Sequence, residues 1–137
     1  MWLKASLPAV PELPPSAGWV RVQDPAFVLD ALFEMPTNIS ANSSAKNLYC
    51  DGRADGVTGS WLYPPGGGQG WHTNTHFSPR RLYISWSETG NSGMLFLKDD
   101  LVVEDRDERG WNIRLFDATQ PHAVFARCWR YSVGYAV

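Results

Sequence analysis

The sequence predicts a mainly β domain, a sandwich or a barrel, and three observations carry that expectation. From residue 48 onward the chain breaks into short segments rich in aromatic and β-branched residues, separated by clusters of Gly, Asp, Asn and Pro. The aromatic load is heavy, with seven Trp, five Tyr and six Phe, and such side chains suit a pleated, half-buried surface. No helical pattern alternates with the strand-like segments, which argues against a parallel α/β sheet.

The elements follow in order. Residues 1–18 contain Pro8, Pro11, Pro14 and Pro15 and read as an extended N-terminal arm, leaving residues 19–137 as a single domain. A length of 137 residues suits one core. Asp24 and Pro25 are an N-cap acid and a proline at the first helical position. Phe27, Val28, Ala31, Leu32 and Met35 recur at helical spacing until Pro36, so a helix of about three turns is expected on the outside of a sheet. Residues 37–47 are polar and suit a loop or a short helix. Strands are expected at Leu48–Cys50, Ser60–Tyr63, Arg81–Ser87, Met94–Leu97, Leu101–Glu104, Asn112–Phe116, Ala123–Arg127 and Tyr131–Val137. Their turns fall every 8–12 residues or so, the spacing of sandwiches and barrels. Gly66-Gly67-Gly68 is expected as a short flexible loop, with a new strand starting near Trp71.

Composition excludes several classes of function. A net charge of -2 and a pI near 5.8 offer no electrostatic footprint for nucleic acid or an anionic membrane. No apolar run approaches the ~18 residues of a membrane span, and prolines interrupt the N-terminus before a signal-like block forms. The expectation is a cytoplasmic protein. Cys50 and Cys128 lack the short spacing of a zinc pair and read as reduced thiols.

Two stretches carry chemistry. In Tyr63-Pro-Pro-Gly-Gly-Gly-Gln-Gly-Trp-His72-Thr-Asn74, His72 and Asn74 are two residues apart on a strand and point to one face, as two ligands to a single metal would. In the second stretch His122 opens a strand, and Arg130 and Ser132 share one face of the next segment. A guanidinium beside a hydroxyl makes a carboxylate receptor, because its fork pairs with both oxygens.

Taken together, Tyr-Pro-x-Gly-Gly, His-x-Asn, a distal His and Arg-x-Ser in that order resemble the iron(II)- and 2-oxoglutarate-dependent oxygenases, especially their prolyl-hydroxylase-like branch. The resemblance covers about residues 60–137. It implies a double-stranded β-helix, of the jelly-roll or cupin-like kind, with one or two N-terminal helices. It further implies iron(II) held by His72, Asn74 and His122 as the catalytic centre, with positions left open for cosubstrate and oxygen. Arg130, helped by Ser132, would bind the distal carboxylate of 2-oxoglutarate. Tyr63 would contact the cosubstrate, with Tyr83 on the following strand as a further candidate. The implied activity is that of a hydroxylase acting on a small molecule or on a peptide or protein side chain.

The family's carboxylate position holds Asn74, a neutral and poorer ligand for a hard cation. Three outcomes follow: coordination through the amide oxygen, a vacancy filled by water or a halide, or a site that has lost iron. The rival classes are therefore a non-catalytic binding or assembly module on the same fold, and a cupin-type metal enzyme without 2-oxoglutarate. His76 shares the strand parity of His72 and could ligate or touch substrate. Arg127 competes with Arg130 but lies on the opposite parity from His122. Trp71, Trp86, Trp111 and Trp129 read as core or rim packing. The mixed run Glu104–Arg109 reads as a solvated turn before Gly110.

Overall fold

The computed structural model describes residues 19–21, 25–41, 47–53, 59–75 and 79–137. The expected N-terminal arm, 1–18, and His76 lie outside the described residues. Eleven strands and one helix are found among the described residues: β1 (Trp19–Arg21), α1 (Pro25–Leu32), β2 (Ser40–Ala41), β3 (Asn47–Arg53), β4 (Gly59–Tyr63), β5 (Gly67–Thr73), β6 (Arg80–Ser87), β7 (Ser92–Lys98), β8 (Leu101–Arg106), β9 (Gly110–Asp117), β10 (His122–Ala126) and β11 (Arg130–Ala136). The chain is mainly β, as the aromatic segments predict. No described helix is long and apolar enough to cross a membrane.

The strands form two rows, β8-β7-β10-β5 and β4-β11-β6-β9, joined through β3, with β1 on β3 and β2 on β5. Strands of the first half pair antiparallel with strands of the second half in reverse order: β4 with β11, β5 with β10, β6 with β9 and β7 with β8. The parallel pairing in this set is the short β2–β5 contact. The rows face one another, since Tyr63, Trp61, Tyr83 and Phe116 of one pack with Met94, Phe96, Val124 and Ala126 of the other.

Period-two alternation sorts the side chains between layers. On β10, His122, Val124 and Ala126 face the interior, while Ala123 and Phe125 face outward and meet Leu29 and Leu32 of α1. Both faces of β10 are therefore covered, and all five residues are buried. On β11, Arg130 and Ser132 lie opposite Tyr63 and Trp61, whereas Tyr131 and Val133 pack outward with Leu62. Trp71 sits under the helix and donates its indole N–H to the Leu32 carbonyl at 3.1 Å. Trp86, Trp111 and Trp129 are half-buried around the outward cluster, which agrees with core and rim packing.

Two turns follow directly from sequence. Gly66 has φ 88° and the Gly67 N–H donates to the Pro64 carbonyl at 2.8 Å, so Pro65-Gly66 occupies the centre of a type II turn. Asp99 and Asp100 have φ of 49° and 60°, the paired left-handed values of a two-residue hairpin that returns β7 into β8.

Several boundaries differ from expectation. The helix ends at Leu32, and Met35 is 48% exposed beyond it. The helix buries Leu29 and Leu32, Phe33 packs on Phe125 just past it, and Pro36 disfavours helical backbone at residue 35. The glycines expected as a flexible loop belong to a strand: Gly67 and Gly68 are buried in β5. A Cβ at Gly68 would strike the Val124 carbonyl oxygen, so only glycine lets β5 and β10 approach this closely. Within 37–47, expected as a loop or a short helix, residues 37–39 form no helix and Ser40–Ala41 form β2, while 42–46 lie outside the described residues.

Candidate functional site

β5 and β10 place His72 and His122 side by side, because the two residues are register partners on adjacent strands. Their ring centroids are 4.3 Å apart, and the residues are 2% and 1% exposed. Each ring makes the same local bond: Nδ1 of His72 donates to the Gly70 carbonyl and Nδ1 of His122 to the Gln120 carbonyl, both at 2.7 Å. A carbonyl oxygen only accepts, so Nδ1 carries the proton and the neutral ring keeps its lone pair on Nε2. Imidazoles prepared for a metal are fixed in this way. Phe116 and Phe96 wall the pair, with centroids 5.2 and 6.3 Å from the His122 ring.

Asn74 follows the last residue of β5, and its backbone N–H donates to the Ala118 carbonyl at 2.8 Å. Its amide oxygen is buried and has no hydrogen-bond partner among the described residues. An orphaned acceptor of this kind costs roughly 1–3 kcal/mol unless a ligand completes it.

Arg130 is fully buried on β11, with its guanidinium carbon 5.8 Å from the Tyr63 ring centroid. Nε donates to Asp107 Oδ2 at 2.8 Å, while both terminal nitrogens are buried and have no hydrogen-bond partner among the described residues. The fork that sequence parity aimed at a carboxylate thus points into the interior with its donors unmet. Ser132 is buried on the same face. Tyr83 lies edge-on to Phe116, with centroids 5.0 Å apart. Burial pushes its phenol pKa up, and the Arg81 and Arg130 charges offset that only in part, so the hydroxyl stays protonated.

The structure therefore gathers His72, His122, Tyr63, Tyr83, Arg130 and Ser132 in one interior, and Asn74 follows one residue past the end of β5. Arg127 does not join them. It is exposed, pairs with Asp30 at 3.4 Å and lies over Phe33. Among the described residues no group of three or more His, Cys, Asp or Glu side chains could hold a metal. A cation here would take two imidazoles and an amide oxygen. Beside this interior, a cleft of about 480 Å³ opens between the edges of β8 and β9. Phe96 and Phe116, the rings against His122, form part of its wall.

Sequence reasoning missed Asp107. In the run 104–109, Glu104, Asp105, Arg106, Glu108 and Arg109 are exposed and residues 107–109 connect β8 to β9, as a solvated turn requires, but β8 continues to Arg106 and Asp107 is 4% exposed. Its Oδ2 accepts from Arg130 Nε at 2.8 Å and Ser92 Oγ at 2.7 Å, and its Oδ1 accepts from Arg114 Nη1 at 2.6 Å. No local signal marks it, because its neighbours of the same parity, Val103 and Asp105, are exposed.

No protein family, curated protein or solved structure matches this chain.

Burial alone would raise the Asp107 pKa, but the Arg130 and Arg114 charges and the bonds from Arg130 and Ser92 prevail and lower it from 3.8 to about 2. A carboxyl depressed on folding stabilises above its unfolded pKa and loses that contribution as pH falls through the folded value. The contribution is about 2 kcal/mol, present above about pH 4 and lost towards about pH 2. Denaturant unfolding across that window is expected to show the loss, and Asp107→Asn to flatten it. A variant with the same pH dependence as the parent chain would refute the assignment.

Proposed function

We propose that this chain is a double-stranded β-helix oxygenase that binds iron(II) at His72, His122 and Asn74 and receives 2-oxoglutarate on Arg130. The pairing of β4 to β11, β5 to β10, β6 to β9 and β7 to β8 supports the fold reading. It is the pattern made when one long antiparallel ribbon winds on itself. The observation that carries the function is the coexistence, in one buried interior, of two tautomer-fixed imidazoles and a guanidinium fork with no partner for its terminal nitrogens.

The donor set fits the proposed groups. The two imidazoles and the Asn74 amide oxygen are neutral ligands for a divalent cation, and the Arg130 fork matches a carboxylate. Iron(II) with 2-oxoglutarate supplies oxidative hydroxylation of a C–H bond by dioxygen. The chain's own residues do the rest. The Gly70 and Gln120 carbonyls keep each imidazole in the ligating tautomer. Arg130 holds the distal carboxylate beside Tyr63 and Ser132, and Phe96 and Phe116 keep water from the His122 side. The cleft between β8 and β9 is the route for substrate, a small molecule or a side chain presented by a peptide.

Adding iron(II) and 2-oxoglutarate to the protein under anaerobic conditions is expected to produce the weak visible charge-transfer band of the chelate. Metal binding with no such band favours a cupin-type enzyme that does not use 2-oxoglutarate. Failure to bind metal favours the second reading, a non-catalytic module on the same fold, to which the neutral amide at Asn74 lends support. Asn74→Asp adds a charge to the donor set and is expected to tighten iron(II) binding roughly tenfold, read by competition with a chelator.

A further inference from the structure

We infer that Asp107 is a positioning residue for the carboxylate receptor: it holds Arg130 by Nε so that the guanidinium presents its Nη1–Nη2 edge to the ligand. The inference rests on the oxygenase reading and deepens it, because it names what sets the specificity for a second carboxylate.

Asp107 bridges the two layers. Its backbone N–H donates to the Ser92 carbonyl at 2.8 Å, which fixes it to the start of β7, while its side chain reaches Arg130 on β11. Ser92 Oγ and Arg114 Nη1 occupy the other acceptor directions of the carboxylate. Arg114 is itself held by Asp105, through Nε at 2.8 Å and through Nη2 to the backbone carbonyl at 2.9 Å, and its Nη1 also reaches Ser85 Oγ at 3.4 Å. The Asp107 carboxylate therefore has one orientation.

That orientation decides which Arg130 donors remain. A carboxylate set across Nη1 and Nη2 would occupy the fork. One that takes Nε alone leaves both terminal nitrogens buried with no hydrogen-bond partner among the described residues. Burying an ion pair with two donors unmet is a poor way to gain stability, since each unmet donor keeps its desolvation penalty. A second anion with two coplanar oxygens satisfies both donors at once. The charge also fits: Arg130 and Arg114 pair with Asp107 and Asp105, and the buried Arg81, whose charge reaches Tyr83 together with that of Arg130, leaves the interior with a positive charge for an anion to meet.

The test compares 2-oxoglutarate with 2-oxopentanoate, which carries a methyl group in place of the distal carboxylate. Binding of each to the full chain with manganese(II), an inert substitute for iron(II), is measured by calorimetry. The parent chain is expected to prefer 2-oxoglutarate by about a hundredfold, and Asp107→Asn to reduce that preference by about tenfold with its affinity for 2-oxopentanoate unchanged. Equal weakening of both ligands would mark a merely structural role and overturn the inference, as would an undiminished preference. Should Asp107→Asn fail to fold, Ser92→Ala removes one of the groups that aim the carboxylate. It is expected to lower the preference by about threefold, and an unchanged ratio counts against the inference. A parent chain that binds metal yet binds the two keto acids equally overturns the oxygenase reading and this inference with it.

Discussion

Alanine at either His72 or His122 is expected to weaken iron(II) binding by roughly a hundredfold or more. Loss of an outer partner of a ligand already lowers metal affinity by 10–100-fold or so, and loss of the ligand removes a whole bond. The effect should be similar for the two positions, because each ring is buried and each Nδ1 is held at 2.7 Å by a carbonyl two residues earlier. Each variant also leaves a cavity beside Phe116 or β5, so some stability is lost with it. Binding and unfolding are separable by titrating iron(II) well below the melting temperature and recording the circular dichroism of the same samples. If either alanine variant binds iron(II) as tightly as the parent chain, the two-imidazole centre is wrong.

The parts of this site that were legible in the sequence share one property: local parity decides them. Arg130 and Ser132 are two residues apart on β11, and a strand fixes such a pair on one face whatever the rest of the chain does, whereas Asn74 falls one residue past the end of β5. The glycines of β5 were misread because their reason lies elsewhere. Gly68 is small so that the Val124 carbonyl on β10 can approach, and nothing near residue 68 announces that. Asp107 was invisible for the same cause. A mixed run of charges reads as solvated until Arg130, 23 residues away, supplies a buried partner. The fold class was legible because aromatic segments between turn residues dictate strands locally. The pairing of β4 to β11 and β5 to β10 joins segments far apart in the chain, and only the packing of the interior fixes it.

Arg130→Ala is expected to act on two properties at once, and the two can be told apart. Removing the guanidinium leaves the Asp107 carboxylate buried with Ser92 and Arg114 as its remaining partners. Breaking a buried pair from one side costs about 3–5 kcal/mol, because an uncompensated charge stays behind, so stability should fall by about 3 kcal/mol given what is left to Asp107. Binding of 2-oxoglutarate should be lost while iron(II) binding stays close to that of the parent chain, since both imidazoles are held by backbone carbonyls. Adding Asp107→Asn to the alanine variant discharges the stranded carboxylate. Part of the lost stability should then return in denaturant unfolding, because replacing both members of a buried pair is far milder than removing one. Cosubstrate binding should not return, for no donor has been put back. Recovery of both together would mean that Arg130 only supports the fold, and loss of iron(II) binding in the single variant would mean that the guanidinium shapes the metal centre instead of the far end of its ligand.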